Sequence, residues 1–126
     1  MSYSARKAGD IVVLELEGSV WGDWEDIQLK AHVKNLLGEH ERKFVVDLSR
    51  VDLVNSTGIG ILIAALTSVM NANGAFKICG ATDRTRRAFG ISGVSDVFDA
   101  HPTCQEAMMS LGAWKFGEGG GGMRQT

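Results

Sequence analysis

The sequence is poor in cysteine and proline, and it contains no hydrophobic run long enough to cross a membrane. Two cysteines among 126 residues do not make a disulfide framework, which favours a reducing compartment. The most apolar stretch, residues 59–66, is far shorter than the roughly 20 residues that a bilayer requires. The polar first ten residues lack the apolar segment of a signal peptide. We therefore expect a cytoplasmic protein without a membrane anchor.

An excess of charge of either sign is also absent. Lys and Arg total 13, Asp and Glu total 15, and the formal net charge is −2. A surface this close to neutral gives no general reason to bind nucleic acid or anionic lipid. The three histidines are scattered, and both cysteines lie far from them, so no metal-ligand spacing is visible. We expect no metal and no cofactor.

Hydrophobic patterning predicts one α/β domain with the element order ββαβαβαβα. Strands separated by helices imply a mixed, mostly parallel sheet of about five strands packed with four helices. The predicted strands span residues 3–7, 11–17, 44–48, 75–79 and 94–98, and the predicted helices span 23–37, 56–70, 82–89 and 103–111. Residues 49–55 are predicted to form a loop.

The carboxyl-terminal segment changes character after Trp114, where glycine dominates. Glycine loses more conformational freedom on folding than any other residue, so such a segment is costly to order. We expect a domain over residues 1–114, with Trp114 packed on the last helix, and a disordered tail over residues 115–126.

Residues 47–62 (DLSRVDLVNSTGIGIL) are the informative part of the chain. A buried strand is followed by a loop, and a helix begins near residues 55–57 (NST). Gly58 and Gly60 fall in its first turns, where glycine costs about 1 kcal/mol relative to alanine. We therefore expect something to come close to the backbone there, either a packed neighbour or a partner.

Ser56 has two possible roles at this helix start. Asn55, Ser56 and Thr57 are all good N-cap residues, and any of them could cap the helix. Alternatively, Ser56 is a phosphoacceptor, because the positive end of a helix accommodates the roughly −1.5 to −2 charges that a phosphate adds. Phosphorylation there would change the surface that a partner meets while the domain stays folded.

Residues 55–60 (NSTGIG) resemble the signature of STAS domains, and of anti-sigma-factor antagonists in particular. The family motif, Asp-Ser-Ser/Thr-Gly-hydrophobic-Gly, is matched at five of six positions. The resemblance extends over residues 3–111. It includes the element order, the Leu-x-Gly ending of the second strand at 16–18, and the pairs at 97–98 and 106–107.

This resemblance implies a function and its partners. In that family, an anti-sigma factor that is a serine kinase of the GHKL type phosphorylates the motif serine, and a PPM-type phosphatase removes the phosphate. The match implies that Ser56 is the phosphoacceptor, with Asn55, Thr57, Gly58 and Gly60 in the partner-binding loop. The unphosphorylated protein would bind the anti-sigma factor and free a sigma factor. It would not be an enzyme and would not touch DNA.

The sequence departs from the family pattern at two places. Asn55 stands at the acidic position of the motif, so the capping geometry is kept and the charge is lost. Many members have an acidic residue three places after the glycine that ends the second strand, where this chain has Trp21, with Asp23 two residues on. The resembled fold places this loop beside the phosphoacceptor loop. Trp21, Asp23 and Trp24 are therefore candidate partner contacts, and core packing is the alternative for the tryptophans.

Two rival functions remain open from the sequence. The first is a STAS module that is never phosphorylated and serves a transport or signalling complex. The second is a small hydrolase that uses Ser56, although Val54 replaces the first glycine of G-x-S-x-G. Cys79, in a predicted strand, is interpreted as a small buried hydrophobe. The cluster at Arg84, Arg86 and Arg87 is interpreted as a solvated helix face, with an acidic partner as the alternative.

Overall fold

A single mixed sheet organises residues 1–112, which are the residues that the computed structural model describes. Strand β1 runs antiparallel to β2, and β2 to β5 are parallel neighbours in sequence order. The elements are β1 (Ser2–Ala8), β2 (Ile11–Val20), α1 (Trp24–Gly38), β3 (Lys43–Val54), α2 (Ser56–Asn71), β4 (Ala75–Cys79), α3 (Asp83–Ile91), β5 (Asp99–His101) and α4 (Cys104–Ser110). The predicted α/β class, element order and mixed sheet are confirmed. Trp114 and the predicted tail lie outside the described residues.

The two faces of the sheet are covered by different helices. Each crossover from β2 to β5 steps in the same direction, so right-handed connections bring α1, α2 and α3 to one face. Alternate residues of a strand point to opposite faces, and Leu14 and Val46 join the larger core under these helices. Val13 and Val45 join a smaller core on the other face, which α4 covers with Ala107 and its neighbours. Both faces of the central strands are therefore buried.

The strand β3 is longer than predicted. The prediction of a loop over residues 49–55 is wrong, because β3 continues to Val54 and pairs with the second half of β2 through two register shifts. Val51 and Val54 are buried while Asp52 and Leu53 between them are exposed. The polar residues that suggested a loop are the exposed positions of a strand extension.

The last strand is displaced from its predicted place. Residues 94–98 do not form a strand; β5 is the short segment Asp99–His101, which pairs with the end of β4. Val94 N–H donates to the carbonyl of Phe89 at 2.9 Å, so the chain turns back at the end of α3. Phe98 is buried against Phe89, with ring centroids 5.2 Å apart. The apolar residues of this segment fill the core rather than extend the sheet.

None of the helices within residues 1–112 combines the length and the apolar character needed to cross a membrane.

The four helices begin in the same way. At each of them an N-cap side chain accepts a hydrogen bond from the backbone N–H three residues later, and the caps are Asp23, Asn55, Thr82 and Thr103.

Candidate functional site

The site forms where two neighbouring parallel strands end at the same edge of the sheet. Val20 ends β2 and Val54 ends β3, and the two residues are register partners. Asn55 N–H then donates to the carbonyl of Val20 at 3.3 Å. The loop over residues 21–23 and the first turn of α2 therefore lie side by side.

Asn55 is the residue that caps α2. Its side-chain oxygen accepts a hydrogen bond from the backbone N–H of Gly58 at 2.8 Å, and its backbone is extended. Ser56 is therefore the first residue of the helix and not its cap. The Ser56 side chain is exposed, and its hydroxyl makes no hydrogen bond with any residue of the described chain.

The two glycines of the motif have different surroundings. Gly58 is buried, and a Cβ built on it would lie 1.9 Å from the carbonyl oxygen of Val20. The backbone of α2 thus packs directly on the end of β2, so for Gly58 the structure supports the packed neighbour, one of the two alternatives left open by the sequence. Gly60 is exposed, and a Cβ there would meet no atom within 4 Å. Contacts among residues 1–112 therefore give no reason for glycine at position 60.

The loop before α1 packs against the motif at residues 55–60 through Thr57. Gly22 has a φ of +93°, and a Cβ built on it would lie 2.4 Å from the Thr57 methyl carbon. Asp26 holds the loop from below, because its carboxylate accepts the Gly22 N–H at 2.6 Å. Asp23 accepts the Asp26 N–H at 3.1 Å and so caps α1. These hydrogen bonds and the packing on Thr57 hold the loop beside Ser56.

The tryptophan of this loop and the one that begins α1 face solvent. Trp21 is 54% exposed and Trp24 is 69% exposed, so the core-packing alternative is wrong for both. Ile27, one turn after Trp24 on α1, is also exposed. Large apolar side chains at a surface are unusual when they are grouped. A partner-binding role for Trp21, Asp23 and Trp24 stays a prediction.

Asp26 is the residue beside the candidate site that sequence reasoning missed. Its side chain is fully buried, and burial raises the pKa of this carboxyl. The pKa of Asp23 is lowered instead, because its carboxylate accepts a hydrogen bond from the Met1 amino group at 2.9 Å. The signal was present: an acidic residue three places after an acidic N-cap is the spacing of a capping box. Here the second carboxylate reaches back to Gly22, one residue before the cap.

The remaining candidate residues lie on β4 and α3. Cys79 is fully buried, as predicted. Arg84, Arg86 and Arg87 are exposed on α3, and Arg86 pairs with Asp83 of the same helix, which fits the predicted solvated face.

Comparison with known proteins identifies the family. Residues 2–107 match the model of the STAS domain, so this chain belongs to the STAS domain family. The chain is 28% identical over 71 residues to BtrV of Bordetella bronchiseptica, covering 56% of this chain and 61% of that protein. It is 33% identical over 54 residues to the anti-sigma-B factor antagonist of Listeria monocytogenes, covering 43% of this chain and 47% of that one. The matches thus span less than two thirds of the length of these relatives.

Solved structures show the same fold. The unphosphorylated form of the anti-sigma factor antagonist SpoIIAA superposes with a TM-score of 0.75 at 16% identity, covering 90% of this chain and 99% of that one. The phosphorylated SpoIIAA of Bacillus superposes with a TM-score of 0.69 at 16% identity, covering 87% and 99%. At this level of identity the likeness concerns the fold alone.

Proposed function

We propose that this chain is an anti-sigma-factor antagonist whose binding is controlled by phosphorylation of Ser56. The unphosphorylated protein binds an anti-sigma factor in the cytoplasm, and the anti-sigma factor then releases its sigma factor. That anti-sigma factor is a serine kinase of the GHKL type, and a PPM-type phosphatase reverses the modification. The family membership and the names of the relatives support the general role. The contacts around Ser56 support the switch.

The observation that carries this proposal is that Asn55, and not Ser56, caps α2. Because Asn55 caps α2, the Ser56 hydroxyl is exposed and uncommitted. A phosphate on Ser56 removes no hydrogen bond within residues 1–112 and lies at the positive end of a 16-residue helix. The modification therefore leaves the fold intact and changes the surface.

The surface change is large enough to switch binding. Transfer of the γ-phosphoryl group of ATP to the Ser56 hydroxyl oxygen adds roughly −1.5 to −2 charges at neutral pH. The new charge lies beside the loop that carries Trp21 and leads into Trp24 of α1, and it is one helical turn from the exposed Gly60. A partner that buries these apolar groups would have to desolvate the phosphate as well, which is strongly unfavourable unless the phosphate is paired.

Asn55 is compatible with this role. The amide oxygen accepts the Gly58 N–H, which is the bond that a carboxylate at this position would also accept. The orientation of Ser56 on the helix therefore does not depend on an acidic residue before it. The negative charge that the family motif usually carries here is dispensable for the geometry of the phosphoacceptor.

The alternative of a hydrolase finds little support in the site. His32 is hydrogen-bonded to the Tyr3 hydroxyl at 3.0 Å, and His101 lies beside Asp99. Within residues 1–112, Ser56 has no histidine at hydrogen-bonding distance to act as a general base. A screen with ester substrates and a serine-reactive probe should give no signal that depends on Ser56.

The test is intact-mass and phosphopeptide analysis of the protein isolated from its native cells. We expect one phosphate on Ser56 in the wild type and in Thr57→Ala, and none in Ser56→Ala. Thr57→Ala is the matched control because it removes the neighbouring hydroxyl. A protein that is unmodified under every growth condition would instead favour the STAS module that is never phosphorylated. A phosphate that persists in Ser56→Ala would show that the residue is wrongly assigned.

A further inference from the structure

Three potential metal ligands that are far apart in the sequence meet on the face of the sheet covered by α4. They are Asp47 at the end of the part of β3 that pairs with β4, Cys79 at the end of β4 and Cys104 at the start of α4. One carboxylate oxygen and the two Sγ atoms all lie within 4.8 Å of one another. We call these residues the thiol cluster. It is separate from the Ser56 site, which lies beyond the end of β3.

The fold brings this cluster together through strand register and one helix. Asp47 and Cys79 are register partners in the parallel pair of β3 and β4, so their side chains project from the same face. That face carries the smaller core, and Cys104 packs against it where α4 returns over the sheet. The positions are therefore determined by regular secondary structure rather than by a mobile loop.

The charges at the cluster favour a cation. Asp47 is only partly exposed, and one of its oxygens accepts the Ser49 N–H at 2.9 Å. Among residues 1–112 its carboxylate forms no ion pair with a basic side chain. Arg6 is close enough to influence the Cys104 thiol, but its guanidinium is paired with Glu15 at 3.3 Å. A partly buried carboxylate beside two thiols is left without a compensating positive charge.

We propose that Asp47, Cys79 and Cys104 bind a thiophilic divalent cation, for which Zn²⁺ is the best fit. Thiolate and carboxylate are both ordinary zinc ligands, and three protein ligands leave a fourth position for water. With Zn–S bonds of about 2.3 Å, tetrahedral ligand atoms lie roughly 3.8 Å apart, so the cluster needs only a small contraction. Binding converts the two thiols to coordinated thiolates and releases two protons to solvent.

Access and burial fit such a site. Cys79 is fully buried, whereas Asp47 and Cys104 are partly exposed, so an ion can enter from the side of these two residues. The bound ion would join β3, β4 and α4, which are distant in sequence. It would thus attach α4 to the sheet, in addition to the contacts of Ala107 and Leu111.

A disulfide between the two cysteines is the competing use of the same thiols. Oxidation by a peroxide would join the two sulfurs and reduce the peroxide to water, and it proceeds through a thiolate. Cys79 is fully buried, so a peroxide can approach the pair from solvent from the side of the partly exposed Cys104. A bound divalent ion provides the positive charge that lets coordinating thiols ionise.

The test is a zinc titration of the full chain, reduced and without a histidine tag, in competition with a chromophoric chelator. Cd²⁺ in a parallel titration reports sulfur ligation through its charge-transfer absorption. The variants are Cys104→Ser and Asp47→Asn, with Asp52→Asn as the matched control because Asp52 is an exposed residue of the same strand. Asn at position 47 retains an oxygen for the Ser49 N–H, and circular dichroism checks that every variant is folded.

We expect one zinc ion per chain in the wild type and in Asp52→Asn. Affinity should fall by at least about tenfold in Asp47→Asn and further in Cys104→Ser, and the sulfur band should weaken in Cys104→Ser. Equal zinc affinity in all four proteins, or no sulfur band with Cd²⁺, would overturn the proposal. The proposal would also be overturned if peroxide rapidly converted both thiols of the wild type to a disulfide and the wild type bound zinc no more tightly than Asp47→Asn does. None of these outcomes depends on phosphorylation of Ser56.

Discussion

At the scale of single residues, Asp26 shows how a buried carboxylate supports the site from outside it. The side chain is fully buried beneath the loop that carries Trp21, and it accepts the Gly22 N–H at 2.6 Å. Its second oxygen, Oδ1, has no hydrogen-bond partner among the described residues. Burial away from water makes the ionised carboxylate costly and raises the pKa of Asp26, and the Met1 amino group 3.9 Å from Oδ1 offsets only part of this effect. Asp26 therefore holds the loop in position, but its ionised form lowers the free energy of unfolding.

Replacing Asp26 should reveal this cost. Because the pKa of Asp26 is raised in the folded state, the contribution of this carboxyl to the free energy of unfolding falls as pH rises from below the usual carboxyl value of about 4 through the raised value. Asp26→Asn keeps an oxygen for the Gly22 N–H and does not titrate. We expect its free energy of unfolding to improve relative to the wild type as pH rises from acid to neutral. Asp26→Ala loses the bond and should be less stable by about 1–3 kcal/mol.

Urea denaturation at several pH values measures both Asp26 effects. Asp26→Ala is the control for the loss of the hydrogen bond itself. A difference between wild type and Asp26→Asn that does not change with pH would show that the burial of this carboxyl has no energetic consequence.

At the scale of elements, α2 combines a tightly packed start with an exposed face. Ile59, Leu62 and Leu66 bury one side of the helix in the larger core. Gly58 allows its backbone to contact the end of β2. Gly60 faces solvent and weakens the helix without any compensating contact among residues 1–112. Substitutions at Gly58 and Gly60 therefore compare a tightly packed position with an exposed one in the same helix.

The two glycines should respond in opposite directions to alanine. Gly58→Ala forces a methyl group into the Val20 carbonyl, and we expect a loss of at least about 1–3 kcal/mol in the free energy of unfolding. Gly60→Ala adds a methyl group in open space and should stabilise by about 0.5–1 kcal/mol. Denaturant unfolding of both variants provides the measurement. A shift of the same sign in both would contradict the packing described here.

At the scale of the whole molecule, one edge of the sheet collects the features expected of a binding surface. The parallel strands end there. The exposed Trp21 lies in the loop that packs on Thr57, next to Ser56, and the exposed Trp24 is the first residue of α1. Tryptophan is the residue most enriched among side chains that dominate binding energy. The face of the sheet that carries the smaller core is covered by α4 and contains the thiol cluster. The molecule thus separates a candidate partner surface from a candidate metal site.

The tryptophans should matter for binding and little for folding. Because both are exposed, Trp21→Ala and Trp24→Ala should change the free energy of unfolding by no more than about 0.5 kcal/mol. Each should weaken binding of the cognate anti-sigma factor by about tenfold or more, which corresponds to about 1.4 kcal/mol. Met109→Ala, which truncates an exposed apolar side chain on α4, is the control and should leave affinity unchanged. Equal affinities for all three variants and the wild type would place the partner surface elsewhere.

Much of the fold could be predicted from local pattern. The strand at Ala75–Cys79 and the start of α2 at Ser56 agree with the prediction, because their apolar runs have clear boundaries. The second half of β3 was missed because its exposed polar residues resemble a loop when the pairing with β2 is unknown. The strand expected at 94–98 was misplaced because apolar residues in a turn and in a strand look alike without their neighbours.

By itself, the sequence determined the element order and the motif around Ser56, because both depend on residues that are close along the chain. Only the tertiary structure decided that Asn55 rather than Ser56 caps α2, that Trp21 and Trp24 are exposed, and that Asp26 is buried. It also decided that Cys79 and Cys104 lie together beside Asp47, although no spacing in the sequence indicated it. The physical reason is the same in each case: burial and long-range contact depend on how strands pair and helices pack.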